Sequence, residues 1–88
     1  MSSEEDVIAT IVAVIRTQEG VTAEMADAVT PQTNILRDLN LDSIAVMDFI
    51  MELETAFDTV IPLDTVAEIA TVGDLARAIT VEQARAAA

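Results

Sequence analysis

The residues of this chain whose types and spacing could support chemistry stand in one short segment, residues 39–44, which read Leu-Asn-Leu-Asp-Ser-Ile. Asp42 and Ser43 lie there between a polar loop and a strongly amphipathic stretch. The chain contains no His, Cys or Lys, so it lacks the bases that usually activate a serine nucleophile. The segment therefore indicates a serine that another protein modifies, and we expect that the chain is not an enzyme.

The same two residues have a simpler interpretation as a helix cap. Asp and Ser are favoured at helix starts because their side-chain oxygens accept hydrogen bonds from free backbone N–H groups. Either Asp42 or Ser43 would cap a helix predicted from about Ser43 to Phe57. An Asp-Ser pair alone is compatible with both a helix cap and a modification site.

Asp38, Asn40 and Asp42 also have the spacing with which a calcium-binding loop begins. Such a loop needs Gly at its sixth position and Glu at its twelfth. This chain has Ser43 and Phe49 at those positions, so we expect no metal site in the isolated protein.

Hydrophobic periodicity predicts the helices that would position the Asp-Ser segment. The first is expected from about Ser3 to Gln18, with a polar cap, acidic residues in its first turn and a stop at Gly20. The second is the helix that begins near Ser43. Its apolar side would be marked by Ile44, Met47, Ile50 or Met51, and Phe57.

The rest of the chain is a long connection followed by a C-terminal helical region. Residues 21–42 form the connection, with a short helical turn near 22–25. Three apolar residues would fasten it to the core: Ile35, Leu36 and Leu39. A short helix is expected within 64–69, and a Thr-x-x-Asp capping box at 71–74 would open a last helix that frays after Val81.

These elements predict an all-α fold, a small four-helix bundle of three long helices and one short helix with a long loop between the first and second helices. We expect a single domain over residues 1–88, with an ordered core of about 4–81 and frayed termini. A long loop in so small a domain is often functional.

The charge of the chain excludes some functions and favours others. Four arginines stand against sixteen carboxylates, for a net charge of -12. This balance argues against binding to nucleic acid or an anionic membrane, which requires basic residues, and favours partners with basic patches. The absence of Cys fits a reducing compartment, and no apolar run approaches the roughly 20 residues that span a bilayer. We expect a cytoplasmic monomer without membrane insertion.

In the order and spacing of its motifs, nearly the whole chain resembles the acyl carrier protein family, which includes the peptidyl carrier domains. A leucine-rich loop and an Asp-Ser-Leu start to the second helix are matched at residues 39–44. A Glu-x-x-Phe-Asp element is matched at 54–58, an Ile-Pro pair at 61–62, and a Thr-Val-x-Asp helix start at 71–74.

The chain departs from the family pattern at three positions. Asn40 replaces the usual Gly two residues before Asp42, and Asn tolerates a left-handed backbone better than most residues do. Ile44 replaces Leu. Ala45 stands where many fatty-acid carriers have an acidic residue, which hints at a specialised carrier.

The resemblance implies that Ser43 carries 4′-phosphopantetheine through a phosphodiester, attached by a phosphopantetheinyl transferase. Asp42 would assist loading by binding the Mg²⁺ of that transferase. A phosphate at a helix start is favoured by free N–H groups and the helix dipole. The arm would supply the thiol that the chain itself lacks.

The resemblance also implies a docking surface and an acyl-chain pocket around the second helix. Docking candidates are Asp48, Glu52, Glu54, Ile44, Met47 and Met51. The acids have an alternative interpretation as a solvated helix face that maintains solubility. Met47, Met51, Phe57 and Ile61 are expected in the core, and the pocket candidates are Met47, Ile50, Phe57 and Ile61.

The leading hypothesis is an acyl carrier protein that holds acyl intermediates as thioesters and delivers them to enzymes of fatty acid, lipid or polyketide synthesis. One alternative is a peptidyl or aminoacyl carrier of nonribosomal synthesis. Another, from a different class, is an unmodified acidic helical adaptor that binds basic partners. The adaptor would leave the Asp-Ser spacing a coincidence.

Overall fold

The structure, a computed structural model, describes residues 4–87 and contains three long and three short helices in that range. In chain order they are α1 (Glu4–Ile15), α2 (Ala23–Asp27), α3 (Ile35–Asp38), α4 (Ser43–Phe57), α5 (Leu63–Glu68) and α6 (Val72–Ala87). The all-α fold and the three long helices confirm the prediction. The long loop, however, contains two short helices rather than one helical turn.

The core lies where α1 packs against both α4 and α6, with α3 packed on α4. One stripe of α1 is fully buried, at Val7, Ile11 and Ile15, as the spacing of three and four predicts. The buried residues of the other two long helices are Phe49, Ile50, Leu53, Val72, Leu75, Ala76 and Ile79. The connections add Ala26, Ile35, Leu39, Leu41 and Ile61.

The first helix ends at Ile15, three residues before the expected Gln18. Beyond Ile15, the N–H groups of Thr17 and Gln18 bond the carbonyls three residues back, each at 3.0 Å, so the last turn tightens out of α geometry. Gly20 then takes a left-handed φ of 86°, which supports the stop expected there. The expected start at Ser3 lies outside the described residues.

The long connection is ordered by two capped helical turns. Thr22 caps α2 by accepting from the Met25 N–H at 3.1 Å. Asn34 caps α3 by accepting from Arg37 N–H at 2.8 Å, while Asp38 accepts from the Asn34 N–H at 2.8 Å. This reciprocal arrangement satisfies backbone donors that would otherwise be unpaired.

Two of the three apolar residues expected to fasten this connection do so. Ile35 and Leu39 are buried, whereas Leu36 is 51% exposed. The prediction for Leu36 is wrong because the segment is helical there, so adjacent residues point to different sides.

Backbone hydrogen bonds also tie the connection to the start of α6. Gly73 donates to the Pro31 carbonyl at 2.8 Å, Val72 donates to the Thr33 carbonyl at 3.0 Å, and Ile35 donates to the Ala70 carbonyl at 3.0 Å. The loop that leads to Ser43 is therefore held from both α4 and α6.

The capping box predicted at the start of α6 is present. Thr71 Oγ1 accepts from the Asp74 N–H at 3.1 Å, and one Asp74 carboxylate oxygen accepts from the N–H groups of Ala70 and Thr71, each at 3.1 Å. These backbone hydrogen bonds lower the pKa of Asp74, and the bond from Ala70 has a larger effect than the bond from Thr71. The helix continues to Ala87, and fraying after Val81 stays a prediction.

Candidate functional site

Ser43 is the first residue of α4, and the preceding Asp42 is its cap. Asp42 Oδ1 accepts from the Ala45 N–H at 2.7 Å. The Ser43 side chain is exposed, and its hydroxyl makes no hydrogen bond within residues 4–87. The two alternatives for the Asp-Ser pair are thus divided between its members: Asp42 caps the helix, and the serine hydroxyl has no such role.

The first turn of α4 leaves two backbone donors unbonded at the helix start. Ala45 N–H is bonded by the Asp42 side chain and Val46 N–H by the Asp42 carbonyl at 2.9 Å. The N–H groups of Ser43 and Ile44 have no partner within the described part of the chain. Free N–H groups and the positive end of the helix dipole favour a phosphate at this place.

The loop before Ser43 is anchored to the core by two buried leucines with an exposed residue between them. Leu39 and Leu41 are buried, while Asn40 between them is exposed and has a φ of 55°. The left-handed backbone expected where Asn replaces Gly is present. This turn lets both leucines reach the core, so the position of Asp42 and Ser43 is fixed by packing.

The inward side of α4 differs from the predicted one. Phe49, Ile50 and Leu53 face the core, whereas Met47 is 39% exposed and Met51 is 59% exposed. The expectation that Met47 and Met51 are core residues is wrong. Because α4 carries apolar residues on two sides, periodicity alone did not indicate which side faces inward.

An apolar strip therefore remains on the outer face of α4, formed by Ile44, Met47 and Met51. Ile44 is 76% exposed. The three residues recur at spacings of three and four, so they are neighbours on one side of the helix. The same strip begins one residue after Ser43.

Carboxylates flank this strip to different degrees. Asp48 and Glu52 are exposed, and Glu52 accepts a hydrogen bond from Gln18. Glu54 is half-buried and accepts from the Ile61 N–H at 2.8 Å, where it fixes the turn after α4. Of the three acids predicted for docking, Asp48 and Glu52 share the exposed side with the strip.

The candidates for an acyl-chain pocket do not all lie together inside the protein. Ile50 and Ile61 are buried and Phe57 is half-buried, but Met47 is on the outer face. An open groove lies at the end of α4, lined by Met51, Glu54, Thr55, Asp58, Thr59 and Val60. Its lining mixes carboxylates with apolar atoms and includes none of the four candidates.

The arginines do not neutralise the acids around Ser43. Each of the four arginines pairs with a carboxylate: Arg16 with Asp27, Arg37 with Asp38, Arg77 with Asp74, and Arg85 with Glu82. None of these pairs involves an acid of α4. Within residues 4–87, no cluster of three or more acidic side chains is arranged to hold a metal ion.

Comparison with known protein families shows to which family this chain belongs. The family model described as a phosphopantetheine attachment site matches residues 9–79. The chain belongs to the acyl carrier protein family. It is therefore a carrier rather than an enzyme, and its cofactor is covalently attached 4′-phosphopantetheine.

Individual relatives and structures agree with this family. A probable acyl carrier protein of Caulobacter vibrioides is 48% identical over 58 residues, which are 66% of this chain and 67% of that protein. An acyl carrier protein of Syntrophobacter fumaroxidans is 42% identical over 65 residues, 74% of this chain and 76% of that one.

Two solved structures share the fold. The acyl carrier protein of Enterococcus faecalis superposes with a TM-score of 0.72 at 37% identity and covers 92% of this chain and 99% of its own. A putative acyl carrier protein of Anaplasma phagocytophilum gives a TM-score of 0.75 at 26% identity, with 94% of each chain covered. The fold of this chain is thus that of acyl carrier proteins.

The start of α4 fits the family's cofactor. An exposed hydroxyl without a hydrogen bond and two free N–H groups meet at one helix end, which suits a serine phosphodiester. Within residues 4–87, no helix has the length and apolar character that crossing a bilayer requires.

Proposed function

We propose that this acyl carrier protein bears its 4′-phosphopantetheine on Ser43 and delivers acyl groups to partner enzymes of fatty acid, lipid or polyketide synthesis. The observation that carries the proposal is the exposed Ser43 hydroxyl, which has no hydrogen bond and stands at the capped start of α4. When attached, the arm supplies a thiol on which acyl groups are held as thioesters. The protein's own residues present the serine and hold the phosphate.

Asp42 has a second role in this proposal. One of its carboxylate oxygens bonds the Ala45 N–H, and the other accepts no hydrogen bond within the described residues. Carboxylate oxygens are preferred ligands of Mg²⁺. Asp42 would therefore assist a phosphopantetheinyl transferase by contributing to its Mg²⁺ site while it keeps the helix start in place.

Partner enzymes would dock on the outer face of α4. Ile44, Met47 and Met51 offer apolar contact area there, and Asp48 and Glu52 offer charges for Arg or Lys of the partner. Glu54 contributes less because its carboxylate bonds the Ile61 backbone. The net charge of -12 repels a second copy, which supports a monomer.

Acyl cargo is favoured over amino-acid cargo by the matched relatives, which are named as acyl carrier proteins. An unmodified adaptor is disfavoured, because the matching family model is described as a phosphopantetheine attachment site. A cytoplasmic location stays a prediction.

The attachment is tested by intact-protein mass spectrometry after incubation with coenzyme A, Mg²⁺ and a broad-specificity phosphopantetheinyl transferase. We expect one added arm on the wild type and none on Ser43→Ala. The chain's other serines, Ser2 and Ser3, provide a matched control, since their double substitution by Ala should load like the wild type. Loading of Ser43→Ala at the wild-type level would overturn the assignment.

The cargo class is tested on the loaded protein. An acyl-activating enzyme and an amino-acid adenylating enzyme, each of broad specificity, would be offered in parallel. Charging by the first alone supports the acyl carrier, and charging by the second alone would replace it with the peptidyl carrier.

A further inference from the structure

The sulfur atoms of this protein are unevenly exposed. The chain has four methionines and no cysteine, so thioethers are the only sulfur groups of the chain before the phosphopantetheine arm is attached. Met47 and Met51 lie one turn apart on the outer face of α4, 39% and 59% exposed. Met25 is half-buried in α2, and Met1 lies outside the described residues.

We propose that Met47 and Met51 form an oxidation-sensitive site at which a neutral hydroperoxide makes sulfoxides and so weakens the docking of partner enzymes. The consequence for docking rests on the proposed function of α4, whereas the chemistry of the site does not. The pair is defined by its shared face and its exposure.

The reaction is balanced with the hydroperoxide as the only co-reactant. The thioether sulfur attacks one peroxide oxygen, an S–O bond forms and the O–O bond breaks. The second oxygen leaves with a proton as water or an alcohol. The sulfur loses two electrons and the peroxide gains them, and methionine sulfoxide reductases can restore the thioether.

The surrounding charge selects a neutral oxidant. Met51 shares one groove with Asp48 and Glu52 and another with Glu54 and Asp58. The arginines pair with carboxylates outside α4. An anionic oxidant is repelled by this field, and an uncharged hydroperoxide is not.

Oxidation at this face changes the surface and leaves the core intact. The buried residues of α4, Phe49, Ile50 and Leu53, face the core, whereas Met47 and Met51 are exposed to solvent. A sulfoxide is polar, whereas the thioether is a flexible apolar contact. The apolar strip would thus become polar while the fold is retained.

The site chemistry is tested by limited treatment with hydrogen peroxide and peptide mapping. Cleavage at arginine separates peptide 38–77, which contains Met47 and Met51, from peptide 17–37, which contains Met25. In the folded protein we expect sulfoxide in 38–77 several times faster than in 17–37. In urea-unfolded protein the rates per methionine should become similar. Equal rates in the folded state would overturn the site.

The effect on docking is tested by the loading rate with a phosphopantetheinyl transferase after catalase has removed the peroxide. We expect treated wild type to load about tenfold more slowly, which corresponds to about 1.4 kcal/mol. The ratio of treated to untreated rates is compared within each variant. Met47→Leu/Met51→Leu should lose the peroxide effect, and Met25→Leu should keep it.

Three outcomes decide the proposal. Recovery of the rate after treatment with a sulfoxide reductase supports a reversible surface effect, provided that circular dichroism shows an unchanged fold. An unchanged loading rate despite complete sulfoxide formation in 38–77 overturns the docking effect. If the untreated wild type does not load at all, the attachment of the arm to Ser43 is refuted. The proposed effect on docking is then refuted as well.

Discussion

At the scale of single residues, the start of α4 divides two tasks between neighbours. Asp42 caps the helix by accepting from the Ala45 N–H, and Ser43 presents a hydroxyl without a hydrogen bond. A modification on Ser43 therefore does not disturb the cap. This division explains how one helix end can be both stable and chemically accessible.

Substitutions at these two residues should separate stability from loading. Asp42→Ala removes the cap and should lower the free energy of unfolding by about 1 kcal/mol. Ser43→Ala should change it by less than about 0.5 kcal/mol, as expected for an exposed side chain without partners. Urea denaturation of the unmodified proteins measures both. A larger loss for Ser43→Ala than for Asp42→Ala would contradict the assignment of the cap.

At the scale of elements, the long connection is fastened to the start of α6 through a close backbone approach. Gly73 donates to the Pro31 carbonyl at 2.8 Å, and a Cβ at Gly73 would lie 2.9 Å from that oxygen. Helix propensity alone would make Gly→Ala stabilising by roughly 0.5–1 kcal/mol. The clash with a backbone atom opposes that gain.

We expect the steric clash with the Pro31 carbonyl to outweigh the gain in helix propensity at Gly73. Gly73→Ala should lower the free energy of unfolding by about 1–3 kcal/mol, the usual cost of overpacking, as measured by urea denaturation. Pro31 would have to move, so hydrogen exchange of the Gly73 and Val72 amides should also accelerate. A stabilised Gly73→Ala protein would show that the approach is looser than the structure indicates.

The capping box of α6 predicts a pH dependence. Because its folded-state pKa is lowered by the Ala70 and Thr71 N–H groups, Asp74 stabilises the fold above its unfolded pKa of about 3.9. That contribution is lost as the pH falls through the lower folded value. The difference in urea midpoint between wild type and Asp74→Asn should be constant near pH 6 and shrink below about pH 4. A difference that grows on acidification would contradict this sign.

Features that depend on residues within one helical turn could be predicted from the sequence. Features that depend on contacts between distant segments could not. The caps near Asp42 and at 71–74, and the left-handed Asn40, follow from residue type within one turn. The inward face of α4 was misplaced because Ile44, Met47 and Met51 form a second apolar strip. The bonds from Gly73 and Val72 to the long connection join distant segments, and no local pattern encodes them.

At the scale of the whole molecule, charge is the dominant property. Sixteen carboxylates stand against four arginines, and all four arginines are paired with acids. The unpaired acids repel one another and attract basic partners. Salt screens both effects, with a Debye length of about 10 Å at 0.1 M.

Salt should therefore act in opposite directions on folding and on docking. Raising sodium chloride from low concentration should raise the thermal midpoint of the isolated protein, because self-repulsion is screened. It should also raise the KM of loading by a phosphopantetheinyl transferase severalfold, because attraction between partners is screened. An uncharged osmolyte at matched osmolality serves as the control. A salt-independent KM would count against electrostatic docking.

The most direct test of the account is to locate the arm on the chain. Cleavage of the loaded protein at arginine yields peptide 38–77, whose only serine is Ser43. Tandem mass spectrometry of that peptide should place one phosphopantetheine on Ser43, with peptides 1–16 and 17–37 unmodified. An arm on any other residue, or a wild-type protein that a transferase active on a control carrier leaves unmodified, would contradict the central claim.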